Sequence, residues 1–153
     1  MSVVLRPIGN VVSPVAEPSQ QEWESVVSEV VVDEPYAEAL DGIEEFSHII
    51  VIFHFHRSES RLSGLRIHPE RREELPRVGI FATRSPVRPN PIGVTTVRLL
   101  ERRGNVLRVQ GLDAIDGTPV LDIKPHIPIA DACEGARVPR WIDVLSGTGG
   151  DRD

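Results

Sequence analysis

In the stretch SHIIVIFHFH, Ile49, Val51, Phe53 and Phe55 take alternate positions and are all apolar, while the positions between them end in His54 and His56. A period of two belongs to a strand, whose successive side chains point to opposite faces, so the run predicts a strand with both imidazoles on the side away from the core. The alternation returns at Val97 and Leu99 against Thr96 and Arg98, and again at Leu107 and Val109 against Arg108 and Gln110. Short runs rich in Val, Ile, Thr and Phe, broken by Gly, Pro, Asn and Asp, predict strands near 3–12, 24–32, 47–56, 78–82, 94–101, 106–112 and 120–123, with a last one near 141–145. Gly104 and Asn105 give hairpin-turn composition between two of them. Long 3.6-residue periodicity is absent. Two helical turns are predicted, one opening at Pro35 and stopped by Gly42, the other opening at Pro69 and stopped by Pro76, each with proline at a tolerated first-turn position. Neither covers a sheet. Seven or eight strands without helices over them must bury their apolar faces against one another, so the expected fold is all-β and mainly antiparallel, a sandwich or a barrel with short helical turns.

The composition of the 153 residues, 40% hydrophobic and 26% charged, fits one globular domain with a core of its own. We expect that domain over residues 1–145, followed by a frayed tail, SGTGGDRD, over 146–153. The single Cys133 excludes an internal disulfide and an all-cysteine zinc site, and the start of the chain shows no cleavable signal, so the expected setting is cytoplasmic. Apolar runs such as HIIVIF fall far short of a membrane span, and no membrane role is expected. Net charge is −6 but unevenly placed: residues 1–56 hold one Arg against ten acids, 57–108 hold twelve Arg against five acids, and 109–153 hold four bases against eight acids. The basic middle block suits phosphates or carboxylates, which the arginine fork matches; a solvated basic face is the plainer alternative.

That block contains FATRSPVRPNPIG, in which Pro86, Pro89 and Pro91 alternate with Arg84, Arg88 and Asn90. Each proline ring fixes its own φ and pushes the residue before it, here Ser85, Arg88 and Asn90, toward extended backbone. A stiff loop loses little entropy on gripping a ligand, which makes it an economical receptor for a carboxylate, phosphate or base edge. The stretch equally fits a rigid connector with arginines in solvent. His54 and His56 one residue apart, with Glu59 and His68 beyond, form a set of nitrogen and oxygen ligands that a small barrel could use for a metal; local hydrogen bonding without metal is the alternative. Asp116 and Gly117 in DGTP are turn chemistry, and Asp113 upstream is a carboxylate at a strand end. No strand, glycine loop and helix follow one another, so a Rossmann-type site is not expected, and GTGG near the end has no helix after it to bind an anion.

GIFATRSPVRPNPIGVTTVRLL and GLDAIDGTPVLDIKPHIP, preceded by FSHIIVIFHFH and an opening IGNVVSP, resemble the TsaA-like domain of the TrmO family, the S-adenosylmethionine-dependent tRNA (threonylcarbamoyladenosine) N6-methyltransferases. The similarity runs from about residue 7 to 129. It implies a TsaA-like β-barrel, a homodimer as a rule, that methylates N6 of the modified adenosine next to the anticodon. Carried onto this chain, the resemblance implies a cofactor site at His56, Arg57, Arg84, Val94, Gln110, Gly111, Leu112 and Asp113. Arg84 would meet the methionine carboxylate, Val94 and Leu112 would flank the adenine, and Asp113 would accept from ribose or adenine. Arg88 and Asn90 are expected to meet the tRNA. For the proton that N6 must lose, Asp113, Asp116 and His54 are the candidates. The Pro-Arg-Gln segment common after the family's first strand is replaced here by SPVAEPSQQ. Two other readings remain: a metal-binding small barrel using His54, His56 and Glu59, and a non-catalytic module that binds S-adenosylmethionine or RNA.

Overall fold

The computed structural model describes residues 1–19, 22–58 and 64–146. Six strands close into an antiparallel barrel: β1 (Gly9–Val12), β2 (Val27–Val32), β3 (His48–His54), β6 (Ile92–Arg103), β7 (Val106–Gln110) and β8 (Pro119–Pro125). Their order around the barrel is β1-β2-β7-β6-β3-β8, and β8 returns to pair with β1 at Gly9↔Val120. Two shorter strands, β4 (Arg66–Ile67) and β5 (Val78–Gly79), pair outside it. The alternation seen in the sequence sorts faces as expected: Ile49, Val51, Phe53, Val97, Leu107 and Val109 are fully buried, together with Val11, Val30, Val32, Leu112 and Val120 from the remaining walls. Each such side chain contributes about 1.5–3 kcal/mol by leaving water, so the lumen is a packed core with no room for a channel.

Several boundaries differ from the expectation. Residues 141–145 are helical, not a strand: α2 spans Arg140–Leu145, after a shorter α1 at Pro128–Asp131. The physical reason is closure. Once β1 pairs with β8 the barrel has no free edge for another strand, and the segment satisfies its backbone locally, with Ser146 N–H donating to the Ile142 carbonyl. The first strand begins at Gly9 rather than near residue 3, since Val3, Val4 and Leu5 lie exposed outside the barrel. The run 24–32 opens with a 3₁₀ turn, Trp23–Ser25, and 78–82 is a strand only over β5 before it turns at Ile80–Ala82. The turn expected to open at Pro35 is a 3₁₀ helix over Glu34–Leu40 that ends before Gly42, and another spans Ile43–Glu45. The turn at Pro69 ends at Arg71, well before Pro76, because Glu70 and Arg71 take left-handed φ of 52° and 59°. β6 is longer than expected and absorbs a bulge between Leu99 and Glu101.

One side chain ties the turns to the barrel. Arg102, on β6, donates from Nη1 to the Leu40 carbonyl at 3.1 Å, from Nη2 to Asp41 Oδ1 at 3.1 Å and from Nε to the Gly104 carbonyl at 3.0 Å. Among the described residues no helix is long and apolar enough to cross a membrane. Residues 147–153 of the expected tail lie outside the described residues.

Candidate functional site

A groove of about 470 Å³ opens where β6 begins, the proline-rich loop returns to the barrel and the chain leaves β7. Its floor is aromatic. Phe53 near the end of β3 and Phe55 just beyond it pack edge to face with ring centroids 5.2 Å apart. They can do so because the residue paired with Phe53 across the strands is Gly93: a Cβ there would stand 2.6 Å from the Phe53 ring and 2.8 Å from that of Phe55. Exposed Val94 gives an apolar edge.

The loop supplies the basic wall, and hydrogen bonds complete what its prolines begin. Thr83 donates through N–H and Oγ1 to the Ile80 carbonyl, at 3.0 and 2.8 Å, and Ser85 Oγ accepts from Val87 N–H at 3.3 Å. Arg88, expected to meet the tRNA, lines the groove and donates from Nη1 to the carbonyls of Thr83 and Ser85 at 3.0 and 3.1 Å, bracing its own loop. Arg84 is the contrast. It lines the groove, is exposed, and among the described residues makes no hydrogen bond or ion pair. Asn90 is exposed, and its carbonyl accepts from Ile92 N–H at 2.7 Å.

The opposite wall carries a carboxylate. Gly111 has φ +96°, a left-handed conformation that suits glycine, and from there the chain turns out of β7 so that Asp113 reaches the groove. Thr95 Oγ1 on β6 donates to Asp113 Oδ1 and fixes its direction. Gln110 donates from Nε2 to the Glu24 carbonyl at 3.1 Å and so helps secure the turn. Leu112, expected to flank an adenine, is fully buried among the core side chains; its side chain offers no surface to a ligand.

The remaining expected residues gather in a second group beside the segment 13–17. Arg57 donates from Nη1 to the Ala16 carbonyl at 3.2 Å and pairs with Glu17 at 2.9 Å. Asp116 accepts from Ser13 N–H at 3.0 Å and returns its own N–H to the Val15 carbonyl at 2.8 Å, so this carboxylate braces a loop. His56 Nε2 lies 4.0 Å from where a Cβ on Gly117 would stand, which places the ring at the same rim. His54 is half-buried at the end of β3 and does not line the groove. Glu59 lies outside the described residues, and among the described residues no three His, Cys, Asp or Glu side chains cluster for a metal.

Partial burial, then His54 and the positive Arg57, hold the His56 pKa below its ordinary 6.5. A folded value below the unfolded one means that the associated stability is present above pH 6.5 and is lost as the pH falls through the lowered value. An NMR titration of the imidazole should therefore give a His56 midpoint under 6.5 and a neutral ring at pH 7; a midpoint at or above 6.5 contradicts this environment.

Sequence reasoning did not single out Phe53, Phe55, Gly93 or Thr95 as groove residues. The available signal was Gly93 itself, since a glycine inside a strand pattern marks a close approach. A second depression of about 300 Å³ on β2, β7 and β6 is lined by Glu29, Glu101, Arg103, Val106 and Arg108, where Arg108 stands opposite Glu29 and Glu101 across the strands and the charges offset one another.

The family described as the tRNA-methyltransferase O N-terminal domain matches residues 12–132. An S-adenosyl-L-methionine-binding protein of Archaeoglobus fulgidus is 41% identical over 133 residues, covering 84% of this chain and 93% of that protein. The tRNA (adenine(37)-N6)-methyltransferase of Escherichia coli is 42% identical over 108 residues, covering 67% of this chain and 46% of that enzyme. The crystal structure of TrmO from Pseudomonas aeruginosa superposes with a TM-score of 0.72 at 36% identity, covering 90% of this chain and 61% of that one. This chain therefore spans about half the length of the Escherichia coli enzyme and less than two thirds of the solved TrmO chain.

Proposed function

Since the chain belongs to the tRNA-methyltransferase O N-terminal domain family, we propose that its groove binds S-adenosylmethionine and serves methyl transfer to N6 of threonylcarbamoyladenosine at position 37 of a tRNA. The observation that carries this reading is the set of groups in one groove: an uncommitted guanidinium at Arg84, the half-buried ring of Phe55 packed on buried Phe53, an apolar edge at Val94 and a carboxylate at Asp113. Each has a counterpart in the cofactor. Arg84 suits the methionine carboxylate, Asp113 suits ribose or adenine donors, and the half-buried Phe55 ring suits an adjacent positive charge.

When bound, S-adenosylmethionine supplies an electrophilic methyl group on a positively charged sulfur. The chain's contribution is alignment: a braced loop and a packed aromatic floor hold the groove in one shape before either substrate arrives, which is where most of the rate for such a displacement comes from. Transfer of that methyl group to N6 of the adenosine would leave the electron pair on sulfur and would require N6 to lose a proton to the protein. Of Asp113, Asp116 and His54, Asp113 alone lines the groove, so it is our choice of proton acceptor; Thr95 occupies Oδ1 and leaves Oδ2.

The test is direct. The protein is incubated with tritiated S-adenosylmethionine and bulk tRNA, the tRNA is digested, and the labelled nucleoside is identified. Label is expected in N6-methylated threonylcarbamoyladenosine. Cofactor binding without label in any tRNA fraction would overturn the reading in favour of a module that binds and does not transfer.

A further inference from the structure

The 3₁₀ turn Ile80–Ala82 does something unusual with its apolar residues. Ile80 is buried and anchors the turn, Thr83 closes it with two hydrogen bonds to the Ile80 carbonyl, and between them Phe81 stands 82% exposed. Ile80 N–H also donates to the Leu65 carbonyl at 2.9 Å, bringing beside the turn a second apolar residue, Leu65, that is 67% exposed. A phenylalanine ring held in water by a rigid turn forgoes the burial that normally accounts for its presence.

Charge says what kind of partner covers it. Residues 64–88 carry six arginines against three glutamates, and the glutamates sit together at 70–74, where Glu74 pairs with Arg72. Arg66 on β4 and Arg77 just before β5 have no carboxylate partner among the described residues. An exposed aromatic ring among uncompensated arginines is the composition of a surface for single-stranded nucleic acid, where bases stack on the ring and guanidinium groups meet the phosphates. A second copy of this chain fits less well, because a two-fold contact centred here would face these arginines with themselves. Phe81 also lies two residues from Thr83 and three from Arg84, both of which line the groove.

We propose that Phe81 is a stacking platform for a nucleobase next to the one presented to the groove. This rests on the reading of the groove as a tRNA methyltransferase site. The rigid turn means that the ring is in place before RNA arrives, so that stacking orders no protein.

A synthetic anticodon stem-loop carrying 2-aminopurine beside position 37 reports stacking through its fluorescence. Phe81→Ala is expected to weaken binding of this RNA about tenfold or more, with S-adenosylmethionine affinity unchanged by calorimetry, and Phe81→Trp is expected to restore it. The unchanged cofactor affinity also shows that the variant is folded. RNA affinity equal to the parent's in Phe81→Ala, or a Trp variant no better than the Ala variant, overturns the proposal. So does sedimentation showing that Phe81→Ala dissociates an oligomer and loses RNA binding only through that dissociation. If the parent binds S-adenosylmethionine but no RNA, the methyl-transfer reading falls as well; if the parent binds RNA and Phe81→Ala binds it equally, the stacking platform alone falls.

Discussion

Arg84→Ala is expected to weaken S-adenosylmethionine binding by about tenfold to a hundredfold, the loss that follows from removing roughly 1.5–3 kcal/mol of charge-assisted hydrogen bonding to a carboxylate. Thermal stability should not change, because Arg84 is exposed and makes no hydrogen bond or ion pair among the described residues. That separation distinguishes Arg84 from its neighbour. Arg88 donates to the carbonyls of Thr83 and Ser85, so replacing it loosens the loop and mixes binding with folding. Arg84→Lys should recover only part of the loss, since an ammonium keeps the charge but not the flat fork. Calorimetry on the three proteins decides the matter: equal affinity in parent and Arg84→Ala would show that the methyl donor binds elsewhere.

The second large effect is expected from a single added methyl group. Gly93→Ala places a Cβ 2.6 Å from the Phe53 ring and 2.8 Å from the Phe55 ring, closer than carbon atoms tolerate, so the rings or β6 must move. Phe53 is fully buried and Phe55 packs against it edge to face, so a ring that swings away from the new atom must displace its neighbours. Overpacking of this kind costs roughly 1–3 kcal/mol, or about 2–12 °C in melting temperature for a chain of this size. Because the same rings floor the groove, cofactor affinity should fall as well. Gly104→Ala is the control: its φ of +56° strains a side chain, but nothing lies within 4 Å of the new atom and the turn is remote from the groove. It should lower stability without touching affinity. A Gly93→Ala protein with the parent's melting curve and affinity would refute the tight floor.

Some of this site was readable in advance. The stiffness of FATRSPVRPNPIG follows from proline rings, a property each residue carries locally, and the structure adds the Thr83, Ser85 and Arg88 bonds that the same residues make within a few positions of one another. The role of Asp116 was less accessible. Its partner Ser13 lies 103 positions away, and nothing near Asp116 in the sequence tells a bracing carboxylate from a free one. Leu112 shows the limit from the other side, since a motif position next to Asp113 was expected at the ligand while the turn at Gly111 sends its side chain into the core.

The amino-acid sequence by itself located the six barrel strands and, where apolar and polar residues alternate, which side of each faces inward, because alternation at a period of two is a local property of extended backbone. It also determined the proline-braced loop and, through long motifs, the family. Only the tertiary structure decided that β8 returns to β1, that residues 140–145 coil once no edge is left, and that Arg84, Phe55, Gly93 and Asp113 meet in one groove while His56, Arg57 and Asp116 gather at another part of the rim. Those outcomes depend on which strands lie side by side, a choice made by burying all the apolar faces at once, and no local pattern of residues records it.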